Sequence, residues 1–225
     1  VRGTLDIDLY RQATRDAAEA DVRQAARADI GDFTFEIGTG TPISNDAARL
    51  PVNALIGATT WIHFHLDLVG TAVQMTGQPE DVPPLARGLI PDIIQRGYRA
   101  YPLVDHIADK IAATYERYGT TRMPSTRYRD LIDLVAIIMG ASVNAIAQRT
   151  ALESEFARRG LAPPKHFDVP DRTLWTSGYA AEARRSLLDT AATLDEALTA
   201  VRPFMDPLLQ GTAHGTWHPG RGNWA

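Results

Sequence analysis

The period of the hydrophobic repeat changes part-way along this 225-residue chain, and that change limits its fold more than any other feature. Near the start, Leu5, Ile7 and Leu9 alternate with Thr4, Asp6 and Asp8 across Thr4–Tyr10, the period of a half-buried strand. Thr60–Val69 repeats the pattern, with Ile62, Phe64, Leu66 and Leu68 on one side and His63, His65 and Asp67 on the other. From Leu103 onward the spacing becomes helical: Ile107, Ile111, Tyr115 and Tyr118 fall 4, 4 and 3 apart. A sheet followed by a helical region is therefore the expectation, an α+β fold. It divides into a sheet core over 1–100 and a helical region over 101–225.

Between these anchors the reading is coarser. Thr14–Ala28 reads as a helix and Asp32–Ile37 as a short strand. Gly38–Pro51, rich in Gly, Thr, Pro, Ser and Asn, reads as a loop or hairpin. Pro79–Tyr101 is loop-like, with a short strand around Leu85–Ile90. In the second half, Gly119 is the expected stop of the Leu103–Tyr118 helix, and Ser125 the expected cap of a helix over Thr126–Met139. Helices over Ser142–Arg159, Ser177–Asp189 and Leu194–Met205 follow. The tail Gly211–Ala225 has no periodicity.

Composition removes several function classes. The net charge of −4, from 23 basic against 27 acidic residues, argues against a protein that coats itself in nucleic acid, though a local basic patch remains open. With no cysteine there is no disulfide framework, thiol chemistry or Cys-type zinc site. The longest apolar run, Leu134–Gly140, is far short of the roughly 20 residues of a membrane helix. The charged start is no secretory signal. No membrane partner and a cytoplasmic location are the expectations.

The carboxylates carry the chemistry. Asp6 and Asp8 share a strand face with Cα atoms about 6.5–7 Å apart. Such like charges repel unless a cation sits between them, and oxygen ligands of this kind suit Mg²⁺ with substrate phosphates. The competing reading is two solvated acids on an edge strand. Asp67 is the only acid of its apolar strand. If the two strands are neighbours, three carboxylates converge; the competing reading of Asp67 is a buried acid paired with a His or Arg. His63 and His65 share its face, either as half-exposed residues or as zinc or iron ligands. Lysine is scarce, occurring only at Lys110 and Lys165. Lys110 shares a stripe with His106 and Thr114, and is either solvated or a point charge for phosphate. Arg127, Asp130 and Asp133 form a polar ridge that could equally be a surface ion-pair stripe, Arg129–Asp133 included. Arg117, Arg122, Arg127 and Arg129, interleaved with Tyr115, Tyr118 and Tyr128, form either an RNA-backbone patch or a polar loop between helices.

Three segments in order resemble the nucleotidyltransferase-fold toxins of the AbiEii family. Arg2-Gly3-Thr4-Leu5-Asp6-Ile7-Asp8 is similar to the family's R-x-[ST]-x-D-[IL]-D strand. Tyr101-Pro102 followed by Ile107-Ala108-Asp109-Lys110-Ile111-Ala112 resembles its Y-P…I-A-[DE]-K-[LI]-A helix. Arg127-Tyr128-Arg129-Asp130-Leu131-Ile132-Asp133-Leu134 resembles its R-x-[KR]-D-[IL]-x-D-[IL] helix. The family's Gly-Gly or Gly-Ser phosphate turn, upstream of the Asp-x-Asp strand, has no counterpart after Val1, which points to an N-terminally shortened chain.

The resemblance implies a nucleotidyltransferase-like small mixed sheet followed by a helical bundle that completes the site. It implies a metal site at Asp6, Asp8 and Asp67 for Mg²⁺ or Mn²⁺, with Asp67 also the base. Catalysis would involve these three with Lys110, Asp130 and Asp133, and NTP contacts would come from Arg2, Thr4, Lys110 and Arg127. The implied reaction moves a nucleotidyl group from an NTP to an acceptor hydroxyl, such as a tRNA 3′ end, in a toxin–antitoxin system with a cognate antitoxin. Alternatives are a kinase-like phosphotransferase and a non-catalytic partner-binding module on the same fold.

Overall fold

The computed structural model describes residues 6–28, 30–44, 46–70, 73–84, 97–186, 188 and 190–225, and of Asp6 the backbone alone. The protein is α+β and forms two compact units, one within residues 3–74 and 81–99, the other within 75–80 and 100–225.

The sheet unit holds β1 (Asp6–Tyr10), α1 (Arg15–Ala25), β2 (Phe33–Ile37), β3 (Thr41–Ser44), β4 (Ala47–Ile56) and β5 (Thr59–Val69). Their order is β1-β5-β4-β2, with β3 also pairing β4. β1 runs parallel to β5 and the other pairs are antiparallel, so the sheet is small and mixed. The Gly38–Pro51 segment resolves as a hairpin. Its second strand continues to Ile56 as the central strand of the sheet, which the loop-like composition concealed. Pro51 is tolerated there because its carbonyl accepts from the Gly38 N–H at 2.9 Å. A strand residue's N–H and C=O point the same way. The donor proline lacks would therefore face the turn after β2 rather than a strand partner.

Leu50, Val52, Leu66 and Leu68 are buried on one sheet face against Ala18 of α1. Thr14 caps that helix, its Oγ1 accepting from the Ala17 N–H at 3.4 Å. Ile7 and Leu9 lie opposite Leu66 and Leu68, yet remain 44% and 36% exposed, β1 being an edge strand among the described residues. β6 (Glu80–Val82) pairs with β7 (Tyr98–Ala100). The strand expected around Leu85–Ile90 lies outside the described residues.

The helical unit comprises α2 (Leu103–Tyr115), β8 (Arg117–Tyr118), β9 (Met123–Pro124), α3 (Tyr128–Gly140), β10 (Val143–Asn144), α4 (Ala145–Arg158), α5 (Arg172–Ala183), α6 (Leu194–Leu209), β11 (Thr216–His218) and β12 (Asn223–Trp224). α2 packs on α4, and α3 on α5 and α6. Ile107, Ile111, Leu131, Leu134, Val135, Phe156, Trp175, Phe204 and Trp217 fill the core between them. Burying each such side chain favours the fold by about 1.5–3 kcal/mol before entropy is counted.

Several expectations are corrected here. α2 stops at Tyr115, because Glu116 is already extended; Gly119, at φ +71°, serves instead in the β8–β9 turn. Ser125 does not cap α3. It is fully buried, its carbonyl accepting from the Trp175 indole N–H at 2.8 Å, and Arg127 holds the N-cap position. α5 begins at Arg172, five residues earlier than expected, because Asp171 caps it through the Leu174 N–H. α6 runs past Met205 to Leu209 despite Pro203 and Pro207. The burial of Phe204, Met205 and Leu208 outweighs the backbone bonds those prolines remove. The tail is ordered too: β11 pairs with β10 and β12, and the indoles of Trp217 and Trp224 donate to the Ile138 and Phe204 carbonyls.

Candidate functional site

In the sheet unit, β1 lies directly against β5, with Asp8 opposite Asp67 and Asp6 opposite His65. Neighbouring strands are about 4.8 Å apart, so Asp8 and Asp67 emerge side by side on one face. That face is the reverse of the one covering α1, and Asp8 is exposed on it. Asp67 is far less open, its side chain 17% exposed.

The residue that sequence reasoning missed is Arg49. It sits opposite Asp67 on β4 and donates from Nε at 2.7 Å and from Nη2 at 2.6 Å, one bond to each carboxylate oxygen. This two-pronged contact fixes the plane of the carboxylate as well as its position. The reading of Asp67 as an acid paired with an arginine thus describes its contact. Arg49 escaped notice because its segment reads as a loop. His63 and His65 meet edge to face, 5.0 Å between ring centroids, and His63 Nδ1 is 2.9 Å from the Asn53 side-chain oxygen. Among the described residues no three acids or histidines cluster closely enough to hold a metal ion. The side chain of Asp6, and Arg2 and Thr4 entirely, lie outside those residues.

In the helical unit, Lys110 is not a solvated lysine. It is 7% exposed, and its ammonium donates to Asp130 at 3.0 Å and Asp133 at 2.8 Å. Burial alone would lower its pKa; the charge of Asp130 and the hydrogen bonds and charge of Asp133 outweigh that and hold it above the ordinary value. Arg127 closes the group, donating from Nε to the other Asp130 oxygen. Its guanidinium is likewise raised, because Asp130 outweighs the cost of its burial. His106, one turn before Lys110, is lowered by burial and then by the lysine's charge. Asp130 and Asp133 therefore differ: Asp130 is buried between two cations, whereas the Asp133 side chain is 37% exposed. The expected Arg129–Asp133 pair does not form; Arg129 reaches Glu182 of α5 at 2.8 Å. Thr126, Arg127, Tyr128, Arg129, Asp130 and Glu182 line an open depression of about 410 Å³ at the start of α3. Tyr128 can lie across α5 there because residue 178 is glycine; a Cβ would stand 2.2 Å from the ring.

Two further clusters position α2. Asp105 is buried in its first turn and accepts from the Thr76 N–H and hydroxyl and the Gly77 N–H at 2.6–3.1 Å. Arg159 of the α4 C-terminus gathers Asp109, Glu116 and Glu155.

The profile of the nucleotidyl transferase AbiEii toxins, of type IV toxin–antitoxin systems, matches residues 1–209. The chain belongs to that family. It is accordingly a nucleotidyltransferase toxin of a type IV toxin–antitoxin system. Among solved structures, it is similar to MenT4, a nucleotidyltransferase toxin from Mycobacterium tuberculosis H37Rv. The identity is 15% and the TM-score 0.46, over 92% of this chain and 77% of that one. No curated protein matches it.

Proposed function

We propose that this AbiEii-family chain is a metal-dependent nucleotidyltransferase that joins a nucleotidyl group to the hydroxyl of an RNA acceptor, such as the 3′ end of a tRNA. The observation that carries the metal assignment is the pairing of β1 with β5, which sets Asp8 beside Asp67. Both offer hard oxygen donors, the chemistry Mg²⁺ or Mn²⁺ prefers, so Asp6, Asp8 and Asp67 are the residues that would hold it. Once bound, such an ion would neutralise the triphosphate and favour departure of pyrophosphate.

The remaining steps belong to the chain's own groups. The acceptor oxygen forms a bond to the α-phosphorus as the α–β P–O bond breaks and pyrophosphate leaves. The hydroxyl proton passes to Asp67. Each oxygen of that carboxylate spends one lone pair on Arg49 and keeps another, so Arg49 aims the base without blocking it. Arg2 and Thr4 are proposed phosphate contacts. In the helical unit, Lys110, Arg127, Asp130 and Asp133 are the residues the reaction is proposed to require. The cognate antitoxin is the expected protein partner. The cytoplasm is the proposed setting, and no helix among the described residues is long and apolar enough to cross a membrane.

Titrating Mg²⁺·NTP into the protein and its Asp8→Ala variant tests the metal site; binding by the variant as tight as by the parent refutes it. Incubation with labelled NTPs and bulk tRNA tests the reaction, with lengthened, labelled RNA expected. Shortened RNA would indicate a nuclease, label on protein alone a kinase-like transfer, and no label a partner-binding module.

A further inference from the structure

The β8–β9 hairpin has features that the nucleotidyl-transfer chemistry does not use. Residues 117–129 contain four arginines and no acid, in a chain whose net charge is −4. Arg117 and Arg122 are exposed and, among the described residues, form no ion pair. Tyr118 and Met123 face each other across the hairpin, 39% and 58% exposed. Tyrosine carries a broad apolar ring with a polar tip, the form enriched where a side chain meets a binding partner.

The tyrosine is also held in place. Its hydroxyl donates to Glu116 at 3.2 Å, and Glu116 is anchored in turn by Arg159. Arg122 adopts φ +49°, a left-handed conformation that is uncommon for arginine. Two bonds maintain it: its N–H donates to the Gly119 carbonyl and its own carbonyl accepts from Arg117, both at 3.2 Å. The turn thus holds two cations beside a tyrosine whose hydroxyl is tethered and whose ring remains exposed. Past Arg127, the same surface continues into the depression lined by Arg127, Arg129 and Tyr128.

We propose that this hairpin grips single-stranded RNA, with a base stacked on Tyr118 and flanked by Met123 while Arg117 and Arg122 pair with successive phosphates. Ring faces and unpaired guanidinium groups on one exposed turn suit a flexible polyanion that presents flat bases. An acidic peptide would satisfy the arginines but leave the ring uncovered. This inference rests on the reading that the acceptor is RNA, but concerns binding rather than transfer.

The test is equilibrium binding of a fluorescein-labelled single-stranded RNA dodecamer to the full chain, with neither NTP nor divalent metal. Loss of one base stack in Tyr118→Ala should weaken binding roughly 5- to 150-fold. Arg117→Ala/Arg122→Ala should reduce the slope of log K against log salt by about 1.4, two phosphates at roughly 0.7 each. Tyr118→Phe should bind nearly as well as the parent, separating stacking from folding. Asp8→Ala should bind RNA normally while losing transfer, so failure of the nucleotidyl-transfer reading and failure of this one are distinguishable. Unchanged affinity in both Tyr118→Ala and the double arginine variant, or a preference for polyglutamate over RNA, overturns the proposal.

Discussion

Lys110→Met is the sharpest test of how the helical unit is held together. The burial of the Lys110 ammonium predicts a cost in stability. Methionine matches most of the lysine's apolar stem, so packing is largely retained. What disappears is the ammonium between Asp130 and Asp133. Removing one partner of a buried ion pair costs about 3–5 kcal/mol. Two features of the site reduce that figure. Asp130 keeps Arg127, and the 37%-exposed Asp133 is solvated, its share being about 1 kcal/mol at most. The expected loss is therefore about 2–4 kcal/mol, or roughly 4–16 °C in midpoint temperature for a domain of this size.

Tryptophan fluorescence can follow the loss, since Trp175 and Trp217 are buried in the helical unit whereas Trp61 is exposed in the sheet unit. The pH dependence has a definite sign. The folded pKa of Lys110 lies above its ordinary 10.5, so its stabilisation is complete below 10.5 and lost only as pH rises through the folded value. The gap between parent and variant should stay constant from pH 7 to 10 and narrow above that. Lys110→Met/Asp130→Asn should recover part of the loss by removing the stranded charge. A loss below about 1 kcal/mol, or a gap that closes between pH 7 and 9, would refute this account.

Gly77→Ala would place a Cβ 2.7 Å from Pro102 Cβ and 2.8 Å from Val104 Cγ2, and should cost about 1–3 kcal/mol in urea unfolding of the helical unit. Arg49→Lys keeps the charge beside Asp67 but loses the two-pronged contact. As Arg49 is 46% exposed, stability should change by less than about 1 kcal/mol, while the rate of label transfer falls about 10- to 100-fold through misplacement of the base. Undiminished transfer by Arg49→Lys would remove Arg49 from the mechanism.

The parts of the fold legible in the sequence were those where one local repeat decides the outcome. β5 and α2 each bury an apolar face whose period stands out without knowledge of neighbours, as Leu66 and Leu68 or Ile107 and Ile111 show. β4 carries an equally regular set in Ala48, Leu50, Val52 and Ala54, all buried, yet Pro51 and the preceding glycines outweighed it. Proline is excluded from a central strand only where its missing N–H would face a strand partner, and that depends on where β2 ends. The tail was illegible for a similar reason. Trp217 and Trp224 owe their places to the Ile138 and Phe204 carbonyls, 79 and 20 residues away, and no window of local sequence contains both ends of such a bond.

The candidate site divides along the same line. Residue type and spacing single out Asp8, Asp67 and Lys110, because an acid in an apolar strand or a rare lysine on a helix stands out from its surroundings; Asp130 and Asp133 stand out only through the family resemblance. Spacing cannot name the counter-charge, which comes from another element. Asp67 could have met a histidine on its own strand two residues away; it meets Arg49 across the β4–β5 pair instead. Asp130 and Asp133 looked interchangeable three residues apart on α3. Yet one is enclosed by Lys110 and Arg127, while the other keeps a solvent-facing side. The burial that separates them also separates what each can do. An acid enclosed by two cations is a strut between them, whereas a carboxylate open to water can exchange partners. Of the two, Asp133 is therefore the proposed substrate-facing acid, and Asp130 the group that keeps Lys110 and Arg127 in place.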